Sequence, residues 1–235
     1  MAAQHIVWMG AGERGVVPMS FLDLFLESLP LLVRGLTLTL ELAAVSLAIA
    51  MVIGIVAALM GMSGVPVFRS INRAFVAVIR GTPLLVQGYF IYFGVTSVLD
   101  IRMSAFMAGV IALSLNAGGY MSEIFRGGIQ AVDPGQREAA RSLGLSASQT
   151  TWRIIIPQAI RICIPSVVNQ WCITIKDTSI ISVLGFAELT KMGQQIIART
   201  YRSFELWIMV GVLYFVAIYL LTVLARIVER KVSLD

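Results

Sequence analysis

Long runs without a charged residue constrain this chain more than any other feature of its sequence. A helix needs about 20 predominantly apolar residues to cross a hydrocarbon layer about 30 Å thick. Four runs of 19 or 20 residues meet this need, namely Leu42 to Met60, Gly81 to Leu99, Met103 to Ser122 and Leu206 to Ala225. A fifth apolar region, Ile162 to Ala187, is interrupted only by Lys176 and Asp177. The sequence therefore predicts an all-α, polytopic membrane protein with five transmembrane helices.

Composition agrees with a membrane protein. Hydrophobic residues make up 58% of the 235 residues and charged residues 13%, whereas soluble domains carry about 25% charged residues. The two cysteines, Cys163 and Cys172, lie in one apolar stretch, which indicates packing residues and not a disulfide framework or a metal site.

The chain divides around a single membrane domain. We expect residues 1–34 to form a lead-in that is partly interfacial, because Phe21 to Val33 is short and carries two acidic residues. Residues 35–228 form the membrane domain, and residues 229–235 form a cytoplasmic tail. The N-terminus lacks the basic region of a cleavable signal, so the first span is expected to be retained. His5 is expected to be solvated.

The distribution of basic residues predicts the orientation. With the N-terminus outside, the inner segments hold 11 of the 18 basic residues and the outer segments hold 6, which is the cytoplasmic bias of membrane proteins. The formal net charge of +5 is then explained by cytoplasmic basic residues that face anionic membrane lipid, and it requires no nucleic-acid partner. Between the first two spans, Arg69, Arg73 and Arg80 share one helical face, so this segment is predicted to lie on the inner leaflet.

The loop of residues 132–157 carries its own helix signals. Asp133 suits an N-cap, Pro134 the first helical position and Gln136 the third. Gly144 suits the left-handed position that ends such a helix. A first short helix on the cytoplasmic side is therefore predicted.

A second short helix follows after two residues. Ser146 and Gln149 form a capping box, and we expect Pro157 to limit the helix because proline lacks a backbone donor. A long capped loop is often functional, and a protruding helix-turn-helix suits docking to a cytoplasmic partner. From the residues alone, an interfacial loop that only satisfies its own backbone fits as well.

The loop also contains a recognisable spacing. Glu138-Ala139-Ala140, three residues, Gly144, nine residues and then Ile154-x-Ile156-Pro157 follow the pattern EAA-x3-G-x9-I-x-L-P, with Ile156 in place of Leu. By this pattern the chain resembles the permease subunits of ATP-binding-cassette (ABC) importers. The phrases RGTPLLVQ, LSLNAGGYMSEIFRGGI and VNQWCITIKDTSIISVLGFAEL are similar to the polar amino acid branch of that family.

The resemblance implies a type I importer permease in the inner membrane that works by alternating access. Its loop would be the coupling helix held by a separate ATPase subunit, with candidate residues Asp133, Glu138, Ala139, Ala140, Gly144, Ile154 and Pro157. The implied partners are two ATPase subunits, a second permease copy or paralogue, and an extracytoplasmic solute-binding protein. The sequence has no GxxxxGK[ST] phosphate loop, so we expect ATP on the partner subunit and no cofactor in this chain.

Polar residues inside the fourth span are the leading candidates for the translocation path. A charge at bilayer depth costs about 2.5 to 3.5 kcal/mol, yet Lys176 and Asp177 are adjacent there and Thr178 and Ser179 extend the patch. About 100° apart on a helix, the two charges either point to different partners or line an unwound, wet segment. Structural pairing across a dimer seam is the alternative.

Three further residues are candidates for the path. Arg80 precedes Thr82 and Pro83, which can cap and start the second span, and a guanidinium beside a helix N-terminus suits an α-carboxylate; a positive interfacial residue is the alternative. Asn116 is either a substrate contact or a packing hydrogen bond. It nearly shares a helical face with Glu123, which we expect to pair with an arginine. Gln87 is a weaker candidate.

Enzyme chemistry has little support, because neither HExxH nor GxSxG occurs. Together with this absence, the resemblance implies a non-enzymatic subunit for import of a polar amino acid. Three alternatives remain open: a secondary transporter or channel that uses Lys176 and Asp177, a membrane scaffold that only recruits a cytoplasmic protein, and the same architecture with another small solute.

Overall fold

The computed structural model describes residues 20–233, with side chains as far as Ile227, and every regular element in that range is helical. The predicted solvated His5 lies outside the described residues. The helices are α1 Phe21–Met62, α2 Pro66–Gly81, α3 Leu84–Leu99, α4 Ala105–Gln130, α5 Pro134–Ser142, α6 Ala147–Leu184, α7 Leu189–Thr200 and α8 Ser203–Ser233.

Helices α1, α4, α6 and α8 are long and apolar enough to cross a membrane, and the bent pair α2 and α3 brings the number of candidate spans in the described chain to five. The axes of α2 and α3 differ in direction by 106°. If α3 crosses the membrane near its normal, α2 therefore runs along the surface. This agrees with a helix on the membrane surface, because exposed Val67 and Val78 lie on the face of α2 opposite its arginines. Its placement on the inner leaflet stays a prediction.

Helix α1 is one continuous element of 42 residues, about 63 Å long. A capping box starts it, in which the Ser20 hydroxyl accepts from the Asp23 N–H and the Asp23 carboxylate accepts from the Ser20 N–H. The segment predicted as a lead-in is thus the first part of α1, and the proposed boundary at residue 34 falls inside the helix. Its buried face, which includes Leu24 and Leu32, packs on α7 and α8.

Glycines allow α1 and α4 to approach closely. A Cβ on Gly54 would overlap the Cβ of Met121 and lie 3.2 Å from the Met121 carbonyl carbon. On the facing helix, a Cβ on Gly118 would lie 2.6 Å from Ile53 Cγ2. In lipid no hydrophobic driving force holds helices together, so they associate through close van der Waals packing, which small residues at the contact allow.

Replacing Gly54 with alanine tests this seam. We expect Gly54→Ala to lower the free energy of unfolding by about 1–3 kcal/mol, because the new methyl group must displace Met121. Thermal unfolding in detergent measures the change. Gly211→Ala on α8 is the matched control, since a Cβ there meets nothing within 4 Å and alanine favours the helix; equal melting temperatures for the two variants would contradict the proposed close contact.

Candidate functional site: the elbow and the polar groups of the membrane domain

The first helix of the loop of residues 132–157 forms as the sequence predicts. Asp133 is the N-cap, and its carboxylate accepts from the Gly135 N–H at 2.6 Å. The helix ends at Ser142. Two residues later Gly144 has φ +81°, and the Leu145 N–H donates back to the Ala140 carbonyl at 3.1 Å. A residue with a side chain is strained in this left-handed conformation. The loop therefore turns sharply at a fixed position.

The start of the second helix is also confirmed. The Ser146 N–H donates to Gln149 Oε1 at 2.9 Å, and the Gln149 N–H donates to the Ser146 hydroxyl at 3.2 Å. We call residues 133–150 the elbow. Its tip is Leu143, which is 83% exposed, while Ala140 behind it is buried.

The prediction that Pro157 limits the second helix is wrong. The helix continues as α6 to Leu184, because residues Thr151–Ile155 form a π turn that ends two residues before the proline. In this turn the Ile156 N–H donates to the Thr151 carbonyl, five residues back. The wider turn changes the register just where the proline lacks a donor and where its ring would crowd the preceding turn.

Of the remaining candidate residues of the loop, some are exposed and others pack against its base. Glu138 and Ala139 are exposed on α5, as is Gly144 at its end. Ile154 packs against the buried cluster of Val132, Ile155 and Ala159 at the base of the elbow. Pro157 is exposed on α6. The elbow therefore presents an acidic residue and an apolar tip on a base fixed by packing.

Gln87 closes the bend between α2 and α3. Its Nε2 donates to the Ile79 carbonyl at 2.9 Å and to the Thr82 carbonyl at 3.1 Å, and its Oε1 accepts from Asn116 Nδ2 at 3.1 Å. Two predicted path residues thus contact each other and hold the bend. The predicted capping role of Thr82 is wrong, because its hydroxyl donates back to the Val78 carbonyl at 2.8 Å.

Arg80 lies in the last turn of α2 and faces α4. Its Nη1 is 3.7 Å from the Glu123 carboxylate, and its guanidinium lies 5.5 Å from the centre of the Tyr120 ring. Arg126 approaches the same carboxylate at 2.7 Å, so the expected pairing of Glu123 with an arginine is observed. A carboxylate that bound to the Arg80 guanidinium would therefore share this group with the Glu123 carboxylate.

The patch of residues 176–179 lies on an intact helix, so the unwound alternative is wrong. The Thr178 hydroxyl donates to the Ile175 carbonyl and the Ser179 hydroxyl to the Lys176 carbonyl, both at 2.7 Å. Lys176 is exposed and Asp177 is half-buried. Within the described residues, no hydrogen bond or ion pair joins this patch to Arg80, Gln87 or Asn116.

Glu188 is a buried polar residue that sequence reasoning missed. It is 0% exposed and caps α7, with Oε1 accepting from the Lys191 N–H at 2.7 Å. Its Oε2 accepts from the Tyr214 hydroxyl at 2.6 Å and the Thr39 hydroxyl at 3.5 Å. Glu188 therefore joins α7 to α1 and α8, and we call these four residues the Glu188 hub.

Among the described residues, the Glu188 carboxylate is held by hydrogen bonds and not by an ion pair; Lys191 contributes its backbone N–H. No ion pair to Glu188 forms within residues 20–227. Burial in the connection between α6 and α8 raises its pKa, and the hydrogen bond from Tyr214 opposes part of that rise. In the sequence, Glu188 follows Gly185 by three positions, at the end of an apolar run. An acidic residue at such a position suggests a helix cap, but nothing nearby in the sequence indicates that it is buried.

Metal binding finds no support in this part of the molecule. Among residues 20–233, no group of three or more His, Cys, Asp or Glu side chains lies close enough to hold an ion. Both cysteines are free, and the Cys163 thiol donates to the Ile124 carbonyl at 3.5 Å.

Comparison with known proteins gives a consistent result. Residues 50–234 match the family described as binding-protein-dependent transport system inner membrane component. The chain is 39% identical to the glutamine transport system permease protein GlnP of Escherichia coli strain K12 and 36% identical to the arginine transport system permease protein ArtQ of Bacillus subtilis strain 168. Each match spans 208 residues, 88% of this chain and 95% of the relative.

Solved structures agree with the sequence comparisons. The crystal structure of an amino acid ABC transporter with histidines contains a chain 41% identical to this one, with a TM-score of 0.86, and the match covers 91% of this chain and 99% of that chain. The inward-facing MetNI methionine ABC transporter matches at 20% identity with a TM-score of 0.73, covering 86% of this chain and 96% of that chain. The second likeness is one of fold.

Tyr214 provides a test of the Glu188 hub. We expect Tyr214→Phe to lower the free energy of unfolding by about 1.5–3 kcal/mol, because a buried carboxyl group loses its shortest hydrogen bond. Thermal unfolding in detergent measures the loss. Tyr219→Phe on the same helix is the control, since that side chain is 57% exposed and its change should stay within about 0.5 kcal/mol; similar losses in both variants would refute the role of the hub.

Proposed function

Because this chain belongs to the inner-membrane components of binding-protein-dependent transport systems, we propose that it is the permease subunit through which an ATP-driven importer moves a polar amino acid. The observation that carries this proposal is the elbow. Its tip is exposed while its base is packed and capped, so it presents a fixed shape to a partner.

The partner at the elbow is a separate ATPase subunit that binds ATP in place of this chain. The exposed leucine at the tip and the exposed Glu138, five residues before it, suit a groove with an apolar floor and a basic rim. Two ATPase subunits would serve two permease chains, with one elbow in each groove. The chain itself then performs no covalent chemistry.

The exposed charge on α6 supports a second permease copy or a paralogue. Lys176 is exposed in the single chain although it lies in a helix long and apolar enough to cross the membrane. Facing lipid would cost about 2.5 to 3.5 kcal/mol. This face of α6 is therefore covered by another protein chain or by a water-filled path, and a path between two permease chains provides both.

A polar amino acid suits this face. The ammonium of Lys176 can hold an α-carboxylate and the carboxylate of Asp177 an α-amino group. The names of the relatives, glutamine and arginine permeases, support an amino acid with a polar side chain. An extracytoplasmic solute-binding protein would deliver it to the outer end of the chain, with the N-terminus outside and the C-terminus in the cytoplasm.

Transport by alternating access follows from these parts. ATP-driven movement of the partner would move the elbow, and the elbow would move α6, which carries the path residues. Such coupling requires the two states to differ in how the ATPase grips the elbow.

A charge at the elbow tip tests the docking assignment. We expect Leu143→Asp to abolish co-purification of the ATPase subunit of the same transport system, because the variant would bury an unpaired carboxylate in an apolar groove. Ser142→Asp is the matched control, since it adds the same charge at the neighbouring exposed position and leaves the leucine in place. Normal co-purification with Leu143→Asp would remove the elbow from the docking surface.

Removing the charge on α6 tests the path. We expect Lys176→Met to reduce uptake of amino acid by reconstituted vesicles about tenfold to a hundredfold, the effect of losing one hydrogen bond to a charged group, while the complex still assembles. If Lys176 faced lipid instead, the same substitution would leave uptake unchanged and raise the melting temperature.

A further inference from the structure

A cavity of about 710 Å³ lies at the base of the elbow. The last turns of α1 and α4, the start of α5 and the π turn of α6 enclose it. This volume is within the range of about 300–1,000 Å³ typical of small-molecule sites. The apolar part of the wall includes Leu59, Met62, Ile129, Ile155 and Ile156, and the polar part includes Arg126, Gln130, Asp133 and Arg137.

Two charged side chains of the wall, Asp133 and Arg137, form no ion pair with a described residue. Arg126 is held by Glu123 at 2.7 Å and by Gln130 at 2.9 Å, and the Asp133 carboxylate is held by the Gly135 N–H. Arg137 is exposed and forms no hydrogen bond or ion pair with any other side chain that the structure describes. The cavity therefore offers a guanidinium to an anion.

The same wall continues into an apolar surface. Trp152 lines the cavity and is 69% exposed, and Leu59 beside it is 58% exposed. Tryptophan and arginine together are typical of the boundary between hydrocarbon and water. A ligand here would have an anionic group at Arg137 and an apolar part along the end of α1.

We propose that this cavity binds an anionic phospholipid, with the phosphate at Arg137 and the acyl chains against Leu59, Met62 and Trp152. Phosphate diesters suit the planar guanidinium, and lipid is the amphiphile present wherever the apolar helices are. The site is independent of the transported solute.

Bound lipid would brace the elbow. The N-cap of α5 and the π turn of α6 both line the cavity, and π turns are frequent at functional sites. A headgroup between them fills the space that separates the elbow from the end of α1. Anionic lipid would then favour the elbow position seen in the structure.

Lipid selection by the full-length chain tests the proposal. Purified protein is exposed to vesicles with equal parts of phosphatidylglycerol and phosphatidylcholine of the same acyl length, and native mass spectrometry counts the lipids retained. We expect phosphatidylglycerol to be enriched and Arg137→Gln to reduce the enrichment about fivefold, the effect of one basic residue near an anionic membrane surface. Arg137→Lys should retain most of the enrichment.

Controls separate this site from general charge effects. Arg153→Gln removes the same charge beside Trp152 from a side chain outside the cavity wall and should leave the enrichment unchanged. Phosphatidylglycerol with brominated chains should quench fluorescence of the wild type more than that of Trp152→Phe. Equal retention by wild type and Arg137→Gln, equal loss in both arginine variants, or displacement of the lipid by inorganic phosphate would each overturn the proposal.

Discussion

Hydrogen bonding of the backbone is the constraint on which the whole architecture depends. In hydrocarbon, each N–H or carbonyl without a partner costs several kcal/mol, so a spanning chain must satisfy its backbone internally. Long helices do this except where they break, and here side chains take over. Gln87 donates to the Ile79 carbonyl of α2 and to the Thr82 carbonyl at the bend into α3, and Glu188 accepts from an N–H at the start of α7.

These two side chains also fix how the helices pack. The Oε1 atom of Gln87 accepts a hydrogen bond from Asn116 on α4. The Oε2 atom of Glu188 accepts from Tyr214 on α8 and from Thr39 on α1. A cap that bonds only its own helix would leave the neighbouring helices free to slide. Because these two breaks are each closed by a group shared with another helix, they become fixed points of the bundle.

The predictable part of the structure is the part decided by near neighbours in sequence. Asp133, Gly144 and the pair Ser146 and Gln149 act within five residues, so their caps and turns follow from the sequence, as do the apolar runs. The role of Glu188 in joining helices could not be assigned in this way, because Thr39 lies 149 residues away. The effect of Pro157 is predicted wrongly because the helix continues beyond the proline through a single π turn. Amino-acid composition does not indicate such a turn.

Helix α6 connects the two ends of the proposed mechanism without an intervening loop. From Ala147 at the elbow to Leu184 it contains 38 residues, about 57 Å, and Lys176 and Asp177 lie on it. If the second helix ended at Pro157, a flexible connection would separate the elbow from Lys176 and Asp177, and movement of Leu143 would not reach them. A continuous helix would instead transmit rotation and translation to the proposed path residues. The π turn at Thr151–Ile155 is the place where this lever can change its angle, since its hydrogen bonds already depart from the α pattern, and the turn lies between the elbow and the apolar part of the helix.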